Sequence, residues 1–151
     1  MTFRWGAAMV VLSCLNVAEA GDVQLLDPSI FGRRTSEPIK PLFDLKAGQT
    51  APAYVQLDLL CGRYRAATVT YPEGAPYSDV SASLTRLYGV GETAGRKDSP
   101  ALPWLWRVLD AEGWPLAIQL IKSGEGSDCV RVIYVRNAAW IRDCETGIPK
   151  Q

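Results

Sequence analysis

The side chains of this chain that could move protons are carboxylates, because its 151 residues include 16 Asp and Glu and no histidine. Without imidazole there is no Ser-His-Asp or Cys-His relay, no HExxH zinc site, and no base poised near neutral pH without tuning. Most familiar secreted hydrolases are thereby excluded. A glycosidase survives, since it needs only two carboxyl groups a fixed distance apart. Asp58, Glu73, Asp110, Glu112 and Asp128 are the residues it would draw on. They fall in different elements, however, and their spacing pairs none of them. Solvated turn and surface charge is the reading their contexts favour.

Cysteine is the other reactive type, and its arithmetic depends on the first twenty residues. MTFRWGAAMVVLSCLNVAEA places Arg4 before an apolar run and ends in Ala18-Glu19-Ala20, the small-x-small pattern cut by a signal peptidase. Residues 1–20 therefore read as a signal peptide, with a mature chain starting at Gly21 and directed to a periplasm or the cell exterior. Val11-Leu12-Ser13-Cys14 has the outline of a lipobox, but the bulky Leu12 fits that pattern poorly. Removing the leader leaves Cys61, Cys129 and Cys144 in an oxidising compartment, which favours one disulfide and one leftover thiol. Cys129 with Cys144 is the preferred pair, closing a loop of about 15 residues for roughly 3 kcal/mol. Cys61, among apolar neighbours, reads as a small buried hydrophobe.

Gly89-Val90-Gly91-Glu92-Thr93-Ala94-Gly95-Arg96-Lys97 invites comparison with a phosphate loop and fails it. A P-loop needs Lys immediately after its last glycine and then Ser or Thr, between a strand and a helix. Here Lys97 comes too late and Asp98 follows, so a connecting loop is the better reading. No cofactor or metal is expected. The charge balance of 16 against 16 becomes 15 against 15 once Arg4 and Glu19 leave with the leader. The signs are interspersed, which argues against nucleic acid or an anionic membrane as partner. No segment of the mature chain approaches the roughly 18 apolar residues of a membrane span.

These residues have to be positioned by a modest core, since about 130 mature residues make one domain. Residues 21–52, punctuated by Pro28, Pro38, Pro41 and Pro52, read as an extended arm. Its apolar pieces Val23 to Leu26 and Pro41 to Leu45 are suited to docking on the domain or adding an edge strand. The folded domain spans 53–147. Tyr54 to Leu59 and Tyr64 to Tyr71 are strand-like, with a turn or bulge at Cys61-Gly62-Arg63. Pro76 and Ser78-Asp79 start a helix on which Val80, Leu84, Leu87 and Tyr88 recur at helical spacing, and Gly89 ends it.

The last third reads as an antiparallel meander with strands near Trp104 to Asp110, Leu116 to Lys122 and Cys129 to Arg136, then a short strand at Trp140 to Asp143. A first turn centred near Glu112 sets Trp104 against Leu120, Trp106 against Ile118 and Val108 against Leu116. A second near Glu125 adds Val130, Val132 and Tyr134 to the same apolar face. That is the face for the helix, so the tryptophans at 104 and 106 read as core rather than as a sugar platform, and Trp114 at the turn as the more exposed one. The opposite face collects Leu105, Arg107, Leu109, Ala117, Gln119, Ile121, Arg131, Ile133 and Val135. It is too apolar for a fully solvated sheet, and either the arm, another subunit or a target protein would cover it.

The expected architecture is a small α+β domain, one main helix on an antiparallel β-meander, preceded by an extended arm. Its expected role is that of an exported, noncatalytic binding or accessory protein of the cell envelope, or an inhibitor of a secreted enzyme. Its partner would be another envelope or secreted protein, held through Arg107, Gln119, Arg131 and Trp114. A carboxylate-dependent glycan hydrolase and a structural subunit of an envelope complex are the alternatives.

Overall fold

The computed structural model describes residues 22–34, 48–93, 103–122 and 129–147. The leader, Pro41 to Leu45, Gly95 to Asp98 and Asp128 lie outside the described residues. Five antiparallel strands form one sheet in the order β1-β2-β5-β4-β3: β1 Tyr54–Leu60, β2 Arg63–Thr70, β3 Leu105–Leu109, β4 Pro115–Lys122 and β5 Val130–Arg136. Helix α1, Tyr77–Tyr88, packs on one face, and a short helix α2, Ala139–Glu145, follows β5. The domain is α+β, as the sequence pattern predicts.

Strands β1 and β2 are joined through Cys61-Gly62, both at positive φ (50° and 72°), as a tight two-residue hairpin requires. A bulge follows. Asp58 pairs with Ala66 and Leu59 with Tyr64, so Arg65 is the extra residue, and the phase change lets Tyr64 reach the core while Arg65 turns back to Asp58.

Period two sorts the meander as its sequence predicts. Trp106 faces Ile118 and Val108 faces Leu116. On the next strand the expected register is corrected: Val132 pairs with Leu120 and Tyr134 with Ile118, two positions from the pairing centred on Glu125. A shift of two keeps each side chain on its face, so the apolar layer survives intact. Trp106, Leu116, Ile118, Leu120, Val130, Val132 and Tyr134 are all buried, and Ala67 and Val69 of β2 extend the layer.

Helix α1 begins after Pro76 and ends at Gly89, whose N–H donates to the Thr85 carbonyl at 2.8 Å. Val80 and Leu84 are fully buried, whereas Leu87, expected in the same stripe, is 50% exposed. The helix is tied to the sheet through Trp106, whose indole Nε1 donates to the Gly89 carbonyl at 3.0 Å. Gly91 makes that approach feasible, for a Cβ there would lie 2.6 Å from the Trp106 ring and 2.8 Å from Pro103. Gly89 and Gly91, of the segment compared with a phosphate loop, thus cap a helix and admit an indole.

Residues 22–34, the described first part of the arm, also lie on the helix side, not on the second face. Val23, Leu26, Ile30 and Phe31 are buried in the main core, with Pro28–Gly32 forming a 3-10 turn capped by the Asp27 carboxylate on Ser29 N–H at 2.9 Å. Gln24 N–H donates to the Thr50 carbonyl at 2.8 Å, and Tyr71 Oη donates to the Gln24 carbonyl at 2.6 Å. Docking of Val23 to Leu26 is therefore observed.

The short strand expected at Trp140 to Asp143 is a helix instead. Trp140 and Cys144 are four residues apart, on one side of α2. Trp140 is 2% exposed and packs beneath Arg63 and Arg136, while Cys144 bonds to Cys61. At seven residues such a helix depends on these tertiary ties.

If residues 22–34 belong to the core, Leu26→Ala should destabilise the chain by about 2–5 kcal/mol, and Leu87→Ala by under about 0.5 kcal/mol. Urea denaturation of both variants measures the contrast.

Candidate functional site

On the face away from α1, the register places Arg107, Gln119 and Arg131 on one diagonal. Leu105 pairs with Gln119, and Ile121 pairs with Arg131, so each polar residue sits one step along and one strand over from the last. Diagonal neighbours of this kind lie about 7–8 Å apart, within reach of a common partner. Arg107 is exposed and its Nε pairs with Glu92 at 2.9 Å, a surface contact worth about 0–1 kcal/mol. Gln119 is half-buried between Leu105 and Ile133. Arg131 is half-buried as well, and its Nε is shielded from water with no acceptor among the described residues. Around them Leu109 is 69% exposed and Val135 45% exposed, while Leu105 is buried.

Trp114 is not brought to this diagonal. It closes the β3–β4 hairpin opposite Asp110, accepting from Asp110 N–H at 2.7 Å and donating its own N–H to Asp110 Oδ1 at 3.0 Å. Its side chain is half-buried.

Of the five carboxylates a glycosidase would draw on, Asp58, Asp110 and Glu112 are engaged by arginines. Asp110 and Arg136 have fully buried side chains and meet at 2.6 Å through Oδ2 and Nε. Asp110 Oδ1 meanwhile accepts from Glu112 N–H at 2.8 Å and fixes the turn. Arg136 also donates to Glu112 Oε1 at 2.8 Å and to the Tyr64 carbonyl at 3.0 Å, and its guanidinium lies over Phe31 and Trp140. Asp58 holds Arg65, which reaches on to Glu145 of α2 at 2.9 Å. Asp110 and Glu112 do come together, but around the Arg136 guanidinium, which takes an oxygen of each.

Sequence reasoning missed Arg136, although a signal was present. Val130, Val132, Tyr134 and Arg136 form one period-two series, and a cation at the end of a core-facing series demands a buried counter-ion. Asp110, the last residue of the strand expected at Trp104 to Asp110, was the candidate within reach.

Three tyrosines cluster under residues 22–34. Burial pushes the Tyr71, Tyr88 and Tyr134 hydroxyls well above the usual tyrosine range, so all three stay protonated at neutral pH and none supplies a base. Among the described residues, no group of three Cys, Asp or Glu converges as a metal site. No described helix is long and apolar enough to cross a membrane.

The disulfide joins Cys61 to Cys144, with Cα atoms 6.3 Å apart, and corrects the expected Cys129–Cys144 pair. Strand β5 separates those two cysteines: Cys129 precedes its first residue, and α2 follows its last, about 20 Å further on. Because β2 runs antiparallel to β5, the Cys61-Gly62 turn arrives at the same end as α2. Two further expectations are corrected: Cys61 is exposed at its turn and bonded rather than a buried hydrophobe, and no described cysteine is a leftover thiol, the buried Cys129 included.

No protein-family model, no curated protein and no solved structure matches this chain.

The Cys61–Cys144 bond closes a sequence separation of 83 residues. Replacing both cysteines by serine should lower stability by up to about 4–5 kcal/mol, the chain-entropy value for a loop of that size. Guanidinium unfolding, with amide exchange in α2 as a local readout, checks the size and place of the loss.

Proposed function

We propose that this chain is an exported, noncatalytic binding or accessory protein of the cell envelope, and that it grips another protein through the face bearing Arg107, Gln119 and Arg131. One observation carries the reading: the exposed Leu109 and Val135 share that face with Arg131, whose shielded Nε has no acceptor among the described residues. Apolar area of this kind, rimmed by hydrogen-bonding side chains, is the composition of protein interfaces rather than of solvated sheet. An unsatisfied buried donor costs about 1–3 kcal/mol, which an acceptor on a partner would recover. The leader pattern and the Cys61–Cys144 disulfide support an oxidising compartment outside the cytoplasm. The engagement of Asp110 and Glu112 by Arg136 weighs against a carboxylate-pair hydrolase.

The test is affinity capture by tagged residues 21–151 from the native envelope, set against two variants. Arg131→Glu with Leu109→Asp should weaken retention of a stoichiometric protein partner at least about tenfold, as loss of a central contact does. Arg86→Ala, on the opposite side, should leave it unchanged. Retention equal in both variants, or turnover of envelope glycan by the purified chain, would contradict the proposal.

A further inference from the structure

The two outer strands of the sheet are treated differently. At the β3 edge, Glu92 bridges to Leu105, with Glu92 N–H donating to the Leu105 carbonyl at 2.7 Å and Trp104 N–H to the Glu92 carbonyl at 3.0 Å. Strand β1 has β2 on one side and, among the described residues, no strand or bridge on the other. Open edges are normally protected by charged side chains, lysine above all, by proline, by a bulge in the edge strand itself, or by brevity; the one charge of β1, Asp58, is already paired with Arg65 of its own chain. Tyr54-Val55-Gln56-Leu57-Asp58-Leu59-Leu60 has neither lysine nor proline, runs for seven residues, and leaves the bulge to β2.

The edge is also self-complementary. If two copies of β1 run antiparallel about Leu57, then Tyr54 meets Leu60, Val55 meets Leu59, and Gln56 meets Asp58, each pair occurring twice. The apolar residues at 55, 57 and 59 continue the core-side layer from one copy into the next. On the other side, the Gln56 side chain is exposed and makes no hydrogen bond among the described residues, while both contacts from Arg65 to Asp58 go to Oδ2. Asp58 Oδ1 is thus an open acceptor, and the Gln56 amide of a second copy is a donor placed opposite it. Sliding the strands to set Asp58 against Asp58 would oppose like charges, which disfavours that register.

We propose that β1 pairs with β1 of a second copy, making a two-fold dimer with one continuous ten-stranded sheet. The contact is an isologous β-augmentation: main-chain hydrogen bonds supply attraction, and the Gln56–Asp58 pairs fix register. It uses an edge distinct from the Arg107–Gln119–Arg131 face, so the dimer would present two copies of that face on one side of the sheet.

Sedimentation equilibrium of the full mature chain across a wide concentration range, in three versions, tests the pairing. The unaltered chain should dimerise reversibly. Gln56→Asp sets like charges opposite each other twice and should raise the dimer Kd by roughly two- to thirtyfold; Gln56→Lys sets opposite charges and should lower it by a similar factor. Both differences should shrink at high salt. Since the Gln56 side chain is exposed and unbonded among the described residues, circular dichroism should show both variants folded. A chain monomeric in all three versions would overturn the proposal. So would a dimer whose Kd ignores residue 56, or one dissolved by Leu109→Asp instead.

Discussion

A single buried ion pair holds the elements of this fold in register. Arg136 ends the central strand β5 and Asp110 opens the β3–β4 turn, and neither side chain touches water. Through the same guanidinium the Tyr64 carbonyl of β2, Glu112, Phe31 and Trp140 are gathered at one end of the sheet. Burying such a pair brings little net stability, because desolvation offsets most of the attraction. Removing one member leaves an uncompensated charge, and that is expensive. The pair therefore acts as a specificity device: arrangements that fail to bring β2, β5, the β3–β4 hairpin, the 3-10 turn and α2 together strand a charge in the core.

That device explains which parts of the fold were legible. Helix α1 was, because Pro76, the Val80–Leu84 spacing and Gly89 are local signals that agree with its tertiary packing. The two faces of the sheet were too, since alternation depends on period alone. The β4–β5 register was not, for a slip of two residues leaves every side chain on its face, and hydrophobicity cannot tell the two pairings apart. Helix α2 was hidden because Trp140 and Ile141 also suit a strand; what makes it helical is Trp140 under two guanidinium groups and Cys144 bonded to the hairpin turn. Residues 22–34 carry no sustained period because Val23, Leu26, Ile30 and Phe31 enter the core one by one from irregular backbone.

The chemistry-bearing residues divide along the same line. Arg107, Gln119 and Arg131 fall together as period two requires, whereas Trp114 belongs to the turn and to Asp110. Asp58, Asp110 and Glu112 read as solvated turn and surface charge; they are the counter-ions of Arg65 and Arg136, and for Asp110, whose side chain is fully buried, the solvated reading is corrected. Their pairing was not readable from spacing, because Arg136 reaches Asp110 across β4 and Arg65 reaches Asp58 only through a bulge. One face is filled by α1 and the 3-10 turn, and the contacts proposed above use the opposite face and the β1 edge.

The central claim is that the Arg136–Asp110 pair specifies the fold, and a double-mutant cycle in chemical unfolding tests it most directly. Arg136→Met alone should cost about 3–5 kcal/mol, the penalty for leaving the buried Asp110 carboxylate uncompensated, and Asp110→Asn somewhat less, about 2–3 kcal/mol, because Glu112 still faces Arg136. Together they should cost well under the sum, with a coupling above about 1 kcal/mol. Single losses under about 1 kcal/mol that simply add would show a fold that stands without the pair, and would contradict this account.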